Sequence, residues 1–157
     1  MSWTNADGLT VLMHGEQGEV KAQGTTTEPM KKYLVMDIAD ATAIPSSAAA
    51  PAANDPFIPS GSFITGAWII VETAFTSGGS ATLTIGTQNA AGSAIDADGI
   101  DATVAVAALG ADKGVVCDGA QVAGTALVTA DAYLSFNYGT AAFTAGAGKV
   151  VVEYIEV

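Results

Sequence analysis

The stretch from Pro56 to Thr87, PFIPSGSFITGAWIIVETAFTSGGSATLTIGT, limits the fold of this chain more than any other. Pro56, Pro59 and Gly61 lead into a run from Phe63 to Phe75 that is rich in β-branched and aromatic residues. The run stops at Ser77-Gly78-Gly79-Ser80 and restarts as Ala81-Thr82-Leu83-Thr84-Ile85. This pattern predicts a strand, a tight turn and a second strand, together a central hairpin. In the first strand Ile64, Trp68, Ile70 and Glu72 share one parity, and Phe63, Thr65, Ala67, Ile69, Val71 and Thr73 share the other. Both faces are therefore apolar as far as Glu72, which predicts a strand covered on both sides with Trp68 in the core. The second strand alternates, with Ala81, Leu83 and Ile85 turned to a core and Thr82, Thr84 and Gly86 to solvent or a partner.

Similar patterning recurs along the chain. A short strand is expected over Leu9 to His14 after an Asp7-Gly8 turn, with Glu16 to Lys21 able to pair back on it and a polar loop from Gly24 to Glu28. Lys31 to Ile38 alternates, with Lys32, Leu34, Met36 and Ile38 on one side. Gly114 to Gly119 reads as a strand ending in an Asp-Gly turn. Ala132 to Tyr138 sets Tyr133, Ser135 and Asn137 opposite Leu134, Phe136 and Tyr138. Turns are expected at Gly139-Thr140 and at Gly146 and Gly148, ahead of a terminal strand from Lys149 to Val157 that needs pairing inside a sheet, because an apolar edge invites aggregation. Short strands between Gly and Asp turns predict an all-β antiparallel sandwich or barrel in a single domain over residues 1–157. Residues 1–8 form an N-terminal arm.

Two segments depart from this rhythm. Between Ala39 and Asp55 the sequence becomes ADATAIPSSAAAPAAND, and Pro45 and Pro51 interrupt the helix propensity of Ala48 to Ala50. A long extended loop follows, with room for one helical turn; a strap crossing between sheets and a contact arm on a neighbouring subunit both fit it. Gln88 to Asp101 reads as a polar connection. Its Asp96-x-Asp98-Gly99-x-Asp101 spacing resembles a calcium loop, but the twelfth position is Ala107 where a bidentate acid is needed, so no metal is expected. The preferred reading has Asp98 or Asp101 capping a short helix over 102–109, with a strand over Thr103 to Ala107 as the alternative.

Composition narrows the function. The 157 residues are 50% hydrophobic and 13% charged, with 18 Gly and a net charge of -11, and the five basic residues are all lysines. An acidic chain without arginine does not suit phosphate recognition, so neither nucleic acid nor an anionic membrane is an expected partner. No apolar run reaches the roughly 20 residues of a membrane helix, and the Met-Ser-Trp-Thr-Asn start lacks signal-peptide features, which predicts synthesis in the cytoplasm. Mild Ala, Thr and Val faces favour contact with copies of the same chain.

Catalytic chemistry is not apparent. His14 is the sole histidine and Cys117 the sole cysteine, far apart in sequence, so no triad or Cys-His pair is expected and Cys117 reads as a buried small residue. Glu72 and Glu153 have the composition of a glycosidase pair but read more simply as solvent-facing members of alternating strands. No catalytic residue, cofactor or metal site is assigned.

Phe57-Ile58-Pro59-x-Gly61-x-x-Ile64, Ala81 to Thr87, the closing Phe143-Thr144-Ala145-Gly146 with Lys149 to Tyr154, and the opening Trp3 to Leu9 together resemble virion structural proteins of tailed bacteriophages. The likeness is to head decoration and head-fibre-like proteins. It implies a jelly-roll-like β-sandwich on the head surface, docked on the major capsid protein as a homo-oligomer, with a trimer preferred. A carbohydrate-binding sandwich used in host attachment is the alternative. The resemblance carries over no individual functional residue. The arm and the loop supply the candidate partner contacts, Trp3, Asn5, Asp7, Pro45 and Pro51.

Overall fold

A computed structural model describes residues 2–4, 10–12, 31–124 and 126–156. The chain divides into two compact units, Met1–Met30 and Lys31–Val157. In the first, β1 (Ser2–Thr4) pairs antiparallel with β2 (Thr10–Leu12), which falls within the strand expected over Leu9 to His14. The expected pairing of Glu16 to Lys21 and the loop from Gly24 lie outside the described residues.

The second unit is an all-β sandwich. Its strands are β3 (Lys32–Ile38), β4 (Phe57–Ile58), β5 (Ser62–Ser77), β6 (Thr82–Gln88), β7 (Ala94–Ala105), β8 (Gly114–Val116), β9 (Ala132–Gly139) and β10 (Phe143–Glu156). They form two four-stranded antiparallel sheets, ordered β3-β10-β5-β8 and β4-β9-β6-β7. The pairs β6 with β7, β5 with β8, β4 with β9 and β3 with β10 are nested one inside the next. This unit is thus one long antiparallel hairpin rolled across two sheets, the jelly-roll arrangement.

This topology corrects the central hairpin. β5 and β6 belong to different sheets: β5 lies between β10 and β8, and β6 between β9 and β7. Ser77 to Ser80 makes a corner from one sheet to the other. Small residues suit that corner because the two sheets are only about 10 Å apart and the chain must bend sharply.

The two inner faces share one core. Leu34 and Ile38 of β3, Val150 and Val152 of β10, and Ile69 and Val71 of β5 oppose Leu83 and Ile85 of β6, Val104 of β7 and Leu134 of β9, all buried. Each fully buried aliphatic side chain contributes about 1.5–3 kcal/mol. Phe75 and Phe143 close one end edge-to-face, with centroids 5.4 Å apart and planes at 87°. The alternations expected for β3 and for the first half of β6 hold, and the terminal strand is internal to its sheet.

β5 is not covered on both sides. Its buried residues are Ser62, Ile64 and Gly66, then Ala67, Ile69, Val71 and Phe75, so the parity changes between Gly66 and Ala67. The register explains the change. Glu153 pairs with Gly66 and Tyr154 with Ile64, which leaves Thr65 as an extra residue in a bulge. Apolar residues of both parities therefore serve one core in succession, and Trp68 is half-buried on the outer face instead of in the core.

Two further expectations are corrected. Ala94 to Asp101 belongs to β7, which continues to Ala105 before a 3-10 turn at Val106–Ala108, so no helix is capped over 102–109. As an edge strand, β7 tolerates Asp and Gly on its wet side, and its register with β6 jumps from Ile85↔Asp101 to Thr87↔Asp96. The bulging backbone crosses Gly86, where an added Cβ would lie 2.2 Å from the Ala97 carbonyl oxygen. Gly146 and Gly148 likewise sit inside β10, not in a turn. Gly146 has φ +142° and lies against the Phe75 ring, so it forms a bulge that a side chain would block.

Candidate interaction surface

Bonded neighbours in a sheet point their side chains to the same face. Leu34, Val152 and Ala67 face the core, so their sequence neighbours on the aligned strands face outward. The register brings four of these into one row across the first sheet: Val35 opposite Val151, Val151 opposite Trp68, and Trp68 opposite Val116. Val35 is 48% exposed and Val116 70%, with Val151 and Trp68 half-buried between them. Ile70, 47% exposed, extends the row along β5. The benzo ring of Trp68 lies over Gly66, which keeps the indole low on the sheet.

Charged groups at the ends of this band are paired among themselves. Glu153, 8% exposed, accepts hydrogen bonds from Thr65 Oγ1 at 2.6 Å and from the Tyr33 hydroxyl at 2.9 Å, and lies 3.0 Å from Lys31 Nζ. Thr65 first, then Lys31 and Tyr33, hold the Glu153 carboxyl below the ordinary carboxylate range. The same contact raises the Tyr33 phenol. At the other end, Lys149 meets Glu72 at 3.0 Å, which raises the lysine. Glu153 is therefore not the solvent-facing residue its strand pattern suggested, while Glu72 is exposed. The two carboxylates are engaged by different lysines.

The loop expected over 39–55 is a strap between the sheets, joining β3 to β4. It opens with a 3-10 turn, Ala41–Ala43, capped by the Asp40 side chain on Thr42 N–H. Ala41 and Ile44 anchor it in the core. Tyr138 N–H donates to the Pro45 carbonyl at 2.9 Å, and Gln88 Nε2 to the Ala49 carbonyl at 2.7 Å. Pro45 and Pro51 are half-buried and both line a cleft of about 370 Å3 beneath the strap. Trp3 lies in β1, and Asn5, Asp7 and His14 lie outside the described residues.

The acidic stretch of β7 is spent on its own backbone. Asp96 Oδ1 accepts from Asp98 N–H at 3.4 Å and Asp101 Oδ1 from Thr103 N–H at 3.1 Å. Burial raises the Asp101 carboxyl. Among the described residues no three His, Cys, Asp or Glu side chains are placed to share a metal ion. Cys117 is buried as expected, and desolvation pushes its thiol up to about 12.

In fold, the chain is similar to phage capsid proteins. A chain of the capsid of Ralstonia phage GP4 superposes with a TM-score of 0.50 at 15% identity, over 82% of this chain and 85% of that one. A chain of the cyanophage Pam1 capsid asymmetric unit gives 0.47 at 20% identity, over 87% and 96%. No family model matches the chain, and no curated protein matches it in sequence. The sequence did carry a trace of the outer band: Val35, Ile70 and Val151 are apolar residues off the core parity of their strands, a pattern expected of a sheet face that is covered by something else.

Proposed function

We propose that this protein is a non-enzymatic structural component of a phage virion that decorates or reinforces the major capsid shell from the head surface. The observation that carries the reading is the row Val35, Val151, Trp68 and Val116, an uncharged band on the outside of a jelly roll, with Glu153 and Lys149 beside it already paired. Such a face gains free energy when covered, at about 25 cal/mol per Å2 of apolar surface removed from water. A homo-oligomer, with a trimer preferred, adds avidity to individually weak contacts. The net charge of -11 opposes random self-association and keeps the free protein soluble.

The test is co-sedimentation of the purified chain with empty phage heads that lack it, alongside light scattering of the free protein. Wild-type chain should pellet with the heads, and Val116→Lys or Trp68→Ser should remain in solution while keeping the wild-type fold. Wild-type chain that stays monomeric and unbound in high salt would overturn the reading. A glycan-binding module is the second reading, favoured by Phe57 and Tyr133 on the outer face of the other sheet, with rings 5.3 Å apart and Phe57 41% exposed. Binding to a glycan panel that Phe57→Ala abolishes would promote it.

A further inference from the structure

We propose that the cleft beneath the strap captures an extended basic peptide segment of another protein, which adds a short strand to an open edge of β9. This site is separate from the outer band and does not depend on the identity of any capsid shell.

The edge follows from the register. In an antiparallel strand, successive residues direct their N–H and C=O groups to opposite edges. Tyr138 N–H donates to Pro45, away from β6, so the even-numbered residues of β9 turn their backbone groups toward β4 and the strap. β4 covers only part of that edge, with Phe57 opposite Tyr133 and Ile58 opposite Ala132. One step further, the Leu134 carbonyl needs a donor on residue 56. That residue is Pro56, which has no N–H, and the ladder stops there. The Leu134 C=O and the N–H and C=O of Phe136 find no protein partner among the described residues. The unpartnered groups run from Leu134 to Phe136, about 7 Å at roughly 3.3 Å per residue, and the edge ends where the strap takes Tyr138 N–H. Leu134, Ser135 and Phe136 all line the cleft.

The lining also indicates the charge of the occupant. Met36, Ile38, Ile44 and Phe136 make an apolar floor, and Asp37, Asp40 and Asp55 supply carboxylates, with no lysine among the lining residues. Asp40 is held by the Thr42 N–H and by the Thr42 side chain, and Asp55 by the Ala52 N–H through one oxygen. Lys149, the nearby cation that feels Asp37, is held by Glu72. Ser135, only 5% exposed, also lines the cleft. Main-chain groups on a sheet edge, an apolar floor and uncompensated carboxylates together fit a peptide that alternates apolar and basic side chains.

The experiment titrates the 15N-labelled full chain with two capped pentapeptides, Lys-Val-Lys-Val-Lys and Glu-Val-Glu-Val-Glu. The basic peptide should move the Phe136 amide downfield together with its neighbours Ser135 and Asn137, and the acidic peptide should leave them in place. Asp37→Lys, on an exposed strand position, should weaken the basic peptide by about three- to fivefold. Ala43→Trp, which fills the cleft from the exposed 3-10 turn, should abolish the shift while the rest of the spectrum stays native. An unmoved Phe136 amide at millimolar basic peptide, or equal binding of the acidic peptide, would overturn the proposal whatever the result of head co-sedimentation.

Discussion

The benzo ring of Trp68 rests on Gly66, close enough that a Cβ at Gly66 would fall 2.8 Å from the ring edge. Gly66 follows the extra residue, Thr65, that shifts the register of β5 against β10. The same bulge therefore changes which residues reach the core and makes room for the indole outside it.

Gly66→Ala should lift the indole off the sheet. In a Trp3→Phe background, which leaves Trp68 as the reporter, the fluorescence maximum should shift to the red and binding to heads should weaken. Stability should fall by about 1 kcal/mol, the scale of a forced side-chain rearrangement. An unchanged emission spectrum would show that the indole does not depend on Gly66.

Glu153 makes stability depend on pH. Its carboxyl is held below the ordinary range in the folded chain by Thr65, Lys31 and Tyr33. A group with a depressed folded pKa stabilises the fold above its unfolded value, and that contribution is lost as pH falls through the folded value. Melting temperature should therefore fall between about pH 5 and about pH 3 more steeply in wild type than in Glu153→Gln. Thr65→Val should remove part of the difference. Parallel curves for wild type and Glu153→Gln would exclude this role.

Ser62 is fully buried, and its hydroxyl has no hydrogen-bond partner among the described residues. An unsatisfied buried hydroxyl costs about 1–3 kcal/mol. Ser62→Ala should raise the denaturation midpoint by an amount equivalent to about 1 kcal/mol without changing the denaturant slope, since the small cavity left behind offsets part of the gain. A lower midpoint would mean that the hydroxyl is satisfied in solution.

Cys117 is buried and its thiol is pushed up to about 12, chiefly by desolvation and further by Asp101 and Asp118. A thiol-reactive disulfide reagent at about pH 8 should leave it unmodified in the folded protein and react at once in denaturant. Rapid labelling of the native chain would place Cys117 at the surface.

Local patterning along the chain set the class of the fold and much of its inward pattern. Alternation in Lys32 to Ile38, in Ala81 to Ile85 and in the terminal strand set which residues face a core, because the two-residue period of a strand is a local property. Pro45 and Pro51 were enough to limit the strap to a single helical turn. Sheet membership is different, because it depends on partners far away along the chain. Nothing within Ser77 to Ser80 distinguishes a hairpin turn from a corner between sheets, and only the pairing of β5 with β10 and of β6 with β9 decides it. The bulge at Thr65 is a mismatch in residue count between two strands, so it cannot be read from either strand alone. The same holds for the apolar band and for the open edge of β9. Val35, Val151, Trp68 and Val116 become one surface only when four strands are laid side by side, and Pro56 ends a ladder only because Leu134 stands opposite it.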